Sequence, residues 1–229
     1  MRKIESTIVA DEVYRQIKMM IIDGSLEPGA RVDRQALAEG LGVSMTPVNE
    51  AVARLVGERF LERKVGSARK SDGFFVPESQ RDALVHFFEI RAGIEGIAAR
   101  LCVERMLQGE DPETAAKICS FFSSYSFDSQ ALDADELQRY AIEDTNFHEA
   151  IITFSGNPII EDIDRNLGFI HISKVKGLIR PPHETLPEHL AIIQAFISRD
   201  AVLAQSLMTQ HLLKSRDVLL ESLRRKTVI

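Results

Sequence analysis

The sequence predicts a mainly α-helical chain in two parts: a small amino-terminal unit of helices closed by one β-hairpin, then an antiparallel all-α bundle of about six helices. Three observations predict this. Leu37 to Leu55 reads as two short helices joined by a tight turn, and two short strand-like segments follow it. From Gln80 onward helical periodicity dominates and no alternating strand pattern stands out. A length of 229 residues accommodates two modest domains. The expected boundary is Glu78-Ser79, which gives units 1–78 and 79–229.

Residues 1–7 are expected to form a mobile arm. Val9 to Asp23 is the first helix, with Val13, Ile17, Met20 and Ile21 at helical spacing to pack beneath the elements that follow. Gly24 ends it and Glu27-Pro28-Gly29 turns the chain. Arg31 to Asp33 either adds a short strand or leads directly into the next helix. Leu37, Ala38 and Leu41 give that helix its apolar face. Gly42 stops it, because glycine enters the left-handed conformation at little cost. Ser44 is placed to cap the next helix with its hydroxyl. Pro47 falls in that helix's first turn, where no intrahelical N–H is missed. Val48, Ala51, Val52 and Leu55 form its inner face. Two helices so joined are a helix-turn-helix, whose second helix can lie in the DNA major groove. Gly57 to Arg63 leaves the helix and enters a strand, Gly66 to Asp72 is a loose tip, and Gly73-Phe74-Phe75-Val76 returns as a second strand. A hairpin in this place is a wing.

In the second part, Ala83, Leu84, Phe87, Phe88, Ile90, Ile94, Ile97, Ala98 and Leu101 make the apolar face of a helix that runs to about Leu107. Asp111-Pro112-Glu113 is a helix start, and Thr114 to Tyr125 the second bundle helix. Asp135 to Ser155 is the third, stopped by Gly156-Asn157-Pro158, and Pro158 to Ile179 the fourth. Thr185-Leu186-Pro187 opens the fifth, which ends at Arg199. Asp200 caps the sixth, which runs to about Arg225.

No apolar run is long enough to span a bilayer, and the first residues lack the apolar stretch of a secretory signal. Cys102 and Cys119 have no metal-type spacing and are expected as buried thiols. A cytoplasmic location fits. The net charge of −6 argues against nucleic acid only when read globally. Up to Glu78 the chain carries 12 Lys/Arg and 12 Asp/Glu, so the whole deficit falls on the second part. Arg54, Arg59, Arg63, Lys64, Arg69 and Lys70 cluster on the second motif helix and wing, opposed there only by Glu58 and Glu62. A local basic face can bind phosphate while an acidic second domain stays clear.

Three histidines share a pattern. Asp144 and His148 are four apart on a helix, which brings a carboxylate and an imidazole to one face. His189 and His211 each lie roughly 15 Å from the turn at Arg199-Asp200, at about 1.5 Å rise per residue, and so are level on neighbouring antiparallel helices. If the third bundle helix packs beside that pair, three imidazoles and one carboxylate converge, as helical bundles build metal sites. This donor set suits Zn²⁺ first, with Ni²⁺ or Mn²⁺ as alternatives. Each histidine hydrogen-bonded separately is the competing arrangement.

Val13 to Pro77 resembles the GntR family of bacterial transcription regulators, on Gly24-Ser25-Leu26-Glu27-Pro28-Gly29, Leu41-Gly42-Val43-Ser44 and Thr46-Pro47-Val48. Residues 80–220 resemble the ligand-binding domain of its FadR subgroup, on Phe87 to Leu101 with Arg91 and Glu95, Asp144 to Ile151, Ser155-Gly156-Asn157-Pro158, Glu188-His189, and Asp200 through Met208 to His211-Leu212. The resemblance implies a winged helix-turn-helix, a homodimer on a palindromic double-stranded operator, and a divalent ion on Asp144, His148, His189 and His211. It also implies a small carboxylate or sugar-acid effector. Arg91 is either a clamp for that carboxylate or the helix partner of Glu95. Glu95, Asn166 and His171 are further effector candidates, the last two as polar residues of the fourth helix. Arg34, Gln35, Ser44, Met45, Thr46, Pro47, Asn49, Arg54, Arg69 and Lys70 are the DNA-binding candidates. The family usually has arginine where this chain has Met45 and Asn49. Asparagine prefers the adenine N6/N7 edge and methionine offers only apolar contact.

Two function classes follow. One is an effector-responsive transcription regulator, with repression the commoner mode that the resemblance implies. The other is a metal-dependent hydrolytic enzyme with an accessory winged domain, which needs a general base that the sequence does not offer at an apt spacing.

Overall fold

The computed structural model describes residues 2–65, 72–78, 82–125, 133–167 and 178–227. The chain divides into two compact units, Met1–Leu84 and Val85–Ile229.

In the first unit, α1 (Arg2–Ile22) begins before the expected Val9. No glycine or proline stands among residues 2–8 to break the helix, so it continues where a mobile arm was expected. Then come α2 (Arg34–Gly40) and α3 (Met45–Gly57). Asp33 caps α2 by accepting from the backbone N–H of Gln35 at 3.0 Å and of Ala36 at 3.1 Å. Gly42, with φ +66°, makes the left-handed corner between the helices. Ser44 occupies the N-cap position of α3 with extended backbone, but its side chain makes no capping bond, contrary to expectation. The third residue of α3 is Pro47, which has no N–H to give to a capping oxygen.

Strands β1 (Glu62–Lys64) and β2 (Gly73–Phe75) pair antiparallel, with Arg63 opposite Phe74. Arg31 adds a single bridge to Phe75, so the segment before α2 lies along the hairpin before turning into the helix. Val13, Tyr14, Ile17, Ile21, Val48, Ala51, Val52, Leu55, Leu61 and Val76 belong to one buried cluster. Met20 is only half-buried, and its neighbour Met19 is buried instead. The expected tip, 66–71, lies outside the described residues.

Helix α4 (Ala83–Leu107) starts two residues before the division, and the second unit holds the rest of it with α5 (Pro112–Ser120), α6 (Ala134–Phe154), α7 (Pro158–Leu167), α8 (Pro182–Ile197) and α9 (Ala201–Thr227). A capping box of Asp133 and Glu136 starts α6. Helix α5 stops short of the expected Tyr125, because Phe122 turns into the left-handed region with φ 60°. Glu143 of α6 accepts its backbone N–H at 2.5 Å. Helix α8 starts at Pro182 rather than Thr185, so Pro187 lies inside it. Pro181-Pro182 supplies the start that the sequence reading had given to Pro187. The second half of the expected fourth helix, 168–177, lies outside the described residues. Cys102 is buried and Cys119 half-buried. No helix among the described residues is long and apolar enough to cross a membrane.

Candidate metal centre and nucleic-acid interface

Helix α6 places Asp144 and His148 one turn apart. The short turn at Arg199-Asp200, closed by Asp200 Oδ1 accepting from Leu203 N at 2.9 Å, returns α9 against α8 and sets His211 beside His189. One ligand atom from each of the four residues lies within 4.8 Å of the others. His189 Nε2 is 3.2 Å from His211 Nε2 and 3.3 Å from Asp144 Oδ1. The three imidazoles are buried.

The outward-facing nitrogen of each ring is occupied. His148 Nδ1 meets Glu95 Oε2, His211 Nδ1 meets Glu188 Oε2 at 2.8 Å, and His189 Nδ1 meets the Tyr140 hydroxyl at 3.1 Å. A carboxylate only accepts, so His148 and His211 donate through Nδ1 and turn Nε2 inward, where a neutral ring offers its lone pair. Tyr140 OH lies 2.8 Å from Thr185 Oγ1, and either hydroxyl can donate to the other. When Thr185 accepts, Tyr140 accepts from His189 Nδ1 and the His189 Nε2 lone pair faces inward too. Burial and the neighbouring imidazoles His211 and His148 push His189 well below its ordinary value, and burial lowers His211 as well. Both favour the neutral ring, the form that binds metal. One nitrogen of each ring and the Asp144 carboxylate turn to one point, a donor set that a cation between them would satisfy. With each ring fixed through its other nitrogen, the residues fit a divalent ion.

Two arginine–glutamate pairs hold this frame. Arg91 Nε bonds Glu95 Oε1, and both side chains are buried. Burial alone would raise the Glu95 carboxyl, but the Arg91 charge and His148 hold it down at about 2. The helix pair Arg91–Glu95 thus exists, and through it Arg91 steadies His148. On the other side Glu188 accepts from Arg180 Nη1 at 3.1 Å and Lys214 Nζ at 2.7 Å. Against burial, His211, Arg180 and Lys214 keep the Glu188 carboxyl well below the usual carboxylate range. Phe122 stacks on His189 with centroids 4.5 Å apart.

Sequence reasoning missed Tyr140, Arg180 and Glu188 as supports. Tyr140 is four residues before Asp144, on the same face of α6, so helical spacing held the signal. Glu188 gave no such signal, because the neighbour of a helical ligand points away from it. Here it reaches the histidine of the next helix. Asn166 is exposed and donates to the Asp162 carbonyl at 2.7 Å. His171 lies outside the described residues.

In the first unit Arg34, Gln35, Ser44, Met45, Thr46 and Asn49 are exposed around the start of α2 and α3. Arg31, Arg34, Gln35, Met45, Arg63 and Phe74 line a groove between the helices and the wing. Pro47 is buried and serves the start of the helix rather than its outer face. Arg54 was expected to be available for phosphate. Instead it pairs with Asp11 at 2.9 Å and Glu58 at 3.4 Å and lies 3.8 Å over the Tyr14 ring. Its charge is already engaged against α1. Arg69 and Lys70 lie outside the described residues.

Residues 9–70 match the family of bacterial regulatory proteins, gntR family, and residues 86–214 match the FCD domain, which alone spans over half of the chain. The chain belongs to the GntR family, in its FCD-domain form. All four convergent residues of this GntR regulator fall within the FCD match, and α2 and α3 within the other. It is similar over most of its length to the HTH-type transcriptional repressor GlaR of Escherichia coli (strain K12), at 24% identity, covering 90% of this chain and 94% of GlaR. A probable D-xylose utilization operon transcriptional repressor of Paenarthrobacter nicotinovorans is 25% identical, covering 92% of this chain and 88% of the relative. The solved structure of E. coli McbR/YncC shares the fold, with a TM-score of 0.60 over 93% of this chain and 98% of that chain, at 24% identity. These families and relatives regulate transcription, so the hydrolytic-enzyme alternative is set aside.

Proposed function

We propose that this GntR regulator is a repressor that binds a palindromic operator as a homodimer through α3 and the wing. Its FCD unit holds a divalent cation on Asp144, His148, His189 and His211. A small carboxylate or sugar acid reaching that cation relieves or imposes repression, in the cytoplasm. The observation that carries the sensing half is the set of inward-facing imidazole nitrogens, each ring held from behind by Glu95, Tyr140 or Glu188. Zinc is the first choice for such a set, with nickel or manganese next. A bound cation would supply positive charge for an anionic ligand, and four protein donors leave positions open if it is six-coordinate. The names of the GlaR and D-xylose-operon relatives support repression. An effector shifts operator binding only as far as it binds the two states of the FCD unit unequally.

The test combines metal analysis of the purified protein with gel shifts on the intergenic DNA beside its own gene, in the presence of a panel of small acids. The reading expects about one divalent ion per chain, a sequence-specific shift, and a change of affinity with one class of acid. A protein that takes up no divalent ion even after incubation with zinc, nickel or manganese sinks the sensing half. Absence of a sequence-specific shift at every acid concentration sinks the operator half.

A further inference from the structure

The sequence pointed Asn49 at adenine, because a free carboxamide offers one donor and one acceptor to the N6/N7 edge. The structure changes the chemistry of that side chain. Arg34 Nη1 donates to Asn49 Oδ1 at 2.7 Å. A guanidinium carries donors only, so the atom it meets is the amide oxygen and not the nitrogen. Arg34 is itself steadied by the wing, its guanidinium carbon lying 5.1 Å from the centroid of the Phe74 ring on β2. Helix α2, helix α3 and the wing therefore meet through one exposed pair, whose Arg34 lines the groove together with Gln35 and Met45.

We infer that Arg34 and Asn49 read DNA as a single unit dominated by donors, and that the operator base facing Asn49 is guanine. The inference rests on α3 entering the major groove, as proposed above. With Oδ1 engaged and a positive charge beside it, the amino group of adenine or cytosine meets a crowded acceptor and a field of its own sign. The Asn49 NH₂ and the remaining Arg34 N–H groups call for acceptors. Guanine presents two on one edge, O6 and N7, while thymine presents only O4. A lone asparagine at this position would select adenine; the arginine beside it reverses the preference.

Selection from a library of duplexes with a randomised core, using the full-length protein, tests this. Asn49→Ala identifies the base position, as the one whose preference disappears. At that position the wild type is expected to favour guanine over adenine by about tenfold or more, the discrimination of one bidentate contact. Arg34→Ala frees Oδ1 and moves the preference to adenine. Arg34→Lys keeps a donor-only cation beside the amide and retains guanine. Both side chains are exposed, and circular dichroism of each variant checks that the fold is kept. Enrichment of adenine by the wild type overturns the inference. So does an Arg34→Ala variant that binds all sequences more weakly while still choosing guanine. Failure of the wild type to enrich any sequence removes the operator reading itself and the pair with it.

Discussion

At the scale of single residues, the candidate metal centre is a set of helical ligands aimed by partners from other elements. His189 accounts for the core of it: it is buried, its Nε2 faces His211 and Asp144, and Tyr140 holds its other nitrogen. His189→Ala is therefore expected to abolish divalent-metal uptake, read by competition with a chromogenic chelator. Glu188→Gln keeps the shape of the side chain but replaces the carboxylate that fixes His211. Its expected effect in the same titration is a fall of roughly 10–100-fold in affinity, the usual cost of losing an outer partner. An unchanged affinity in Glu188→Gln would mean that a neutral acceptor orients His211 as well as the carboxylate does. Arg91 belongs to the same frame from the α4 side. Arg91→Ala leaves the Glu95 carboxylate buried with His148 but without its guanidinium, a change that costs about 3–5 kcal/mol when a buried pair is broken. Chemical denaturation of the apoprotein reads this loss directly, apart from any effect on effector binding.

At the scale of elements, the sequence made helix type and order legible because apolar residues recur at helical spacing, but on α4 it placed part of the buried face wrongly: Ile90 and Ile97 are exposed, while Arg91, Ala92, Glu95 and Ala99 are buried. It placed some ends wrongly for local reasons. Pro187 looked like a helix start because proline favours that position, but Pro181-Pro182 lie upstream and fill it. Ser44 looked like a working cap until Pro47 is counted as the residue without a donor. The four convergent residues were readable, since a four-residue step and level spacing on a helical hairpin are properties of the chain. The Arg180–Glu188–His211 and Arg91–Glu95–His148 connections were not foreseen as supports of the centre. They depend on which helices become neighbours, and no period encodes that. Helix packing itself is testable at Gly96 of α4. A Cβ there would lie 2.2 Å from Thr209 Oγ1 and 3.3 Å from the Gln205 carbonyl of α9. Thr209 also donates to the Ala92 carbonyl at 3.3 Å, so it is not free to swing aside without loss. Gly96→Ala should destabilise the unit by about 1–3 kcal/mol through overpacking, seen as a lower denaturation midpoint with an unchanged slope.

At the scale of the whole molecule, the two units have separate reasons to be stable. The amino-terminal unit has its own apolar cluster around Ile17, Val48, Leu55 and Leu61, and contains none of the four convergent residues. The carboxy-terminal unit adds to its aromatic and aliphatic core a buried group of imidazoles whose nitrogens converge with the Asp144 carboxylate. A metal that binds only the folded form adds stability by mass action, about 2.7 kcal/mol when the free ion stands at 100 times its dissociation constant. That increment belongs to the unit that supplies the ligands. Stripping the ion with a strong chelator is thus expected to speed amide hydrogen exchange in α6, α8 and α9, whose side chains form the centre, and to leave α1, α2 and α3 unchanged. Peptide-resolved exchange followed by mass spectrometry separates these elements in one experiment, and zinc added back should restore the slow rates. Equal acceleration in both units would show that the ion stabilises the chain as one cooperative body. No acceleration in α6, α8 or α9 would leave the convergence of Asp144, His148, His189 and His211 without an ion to explain it.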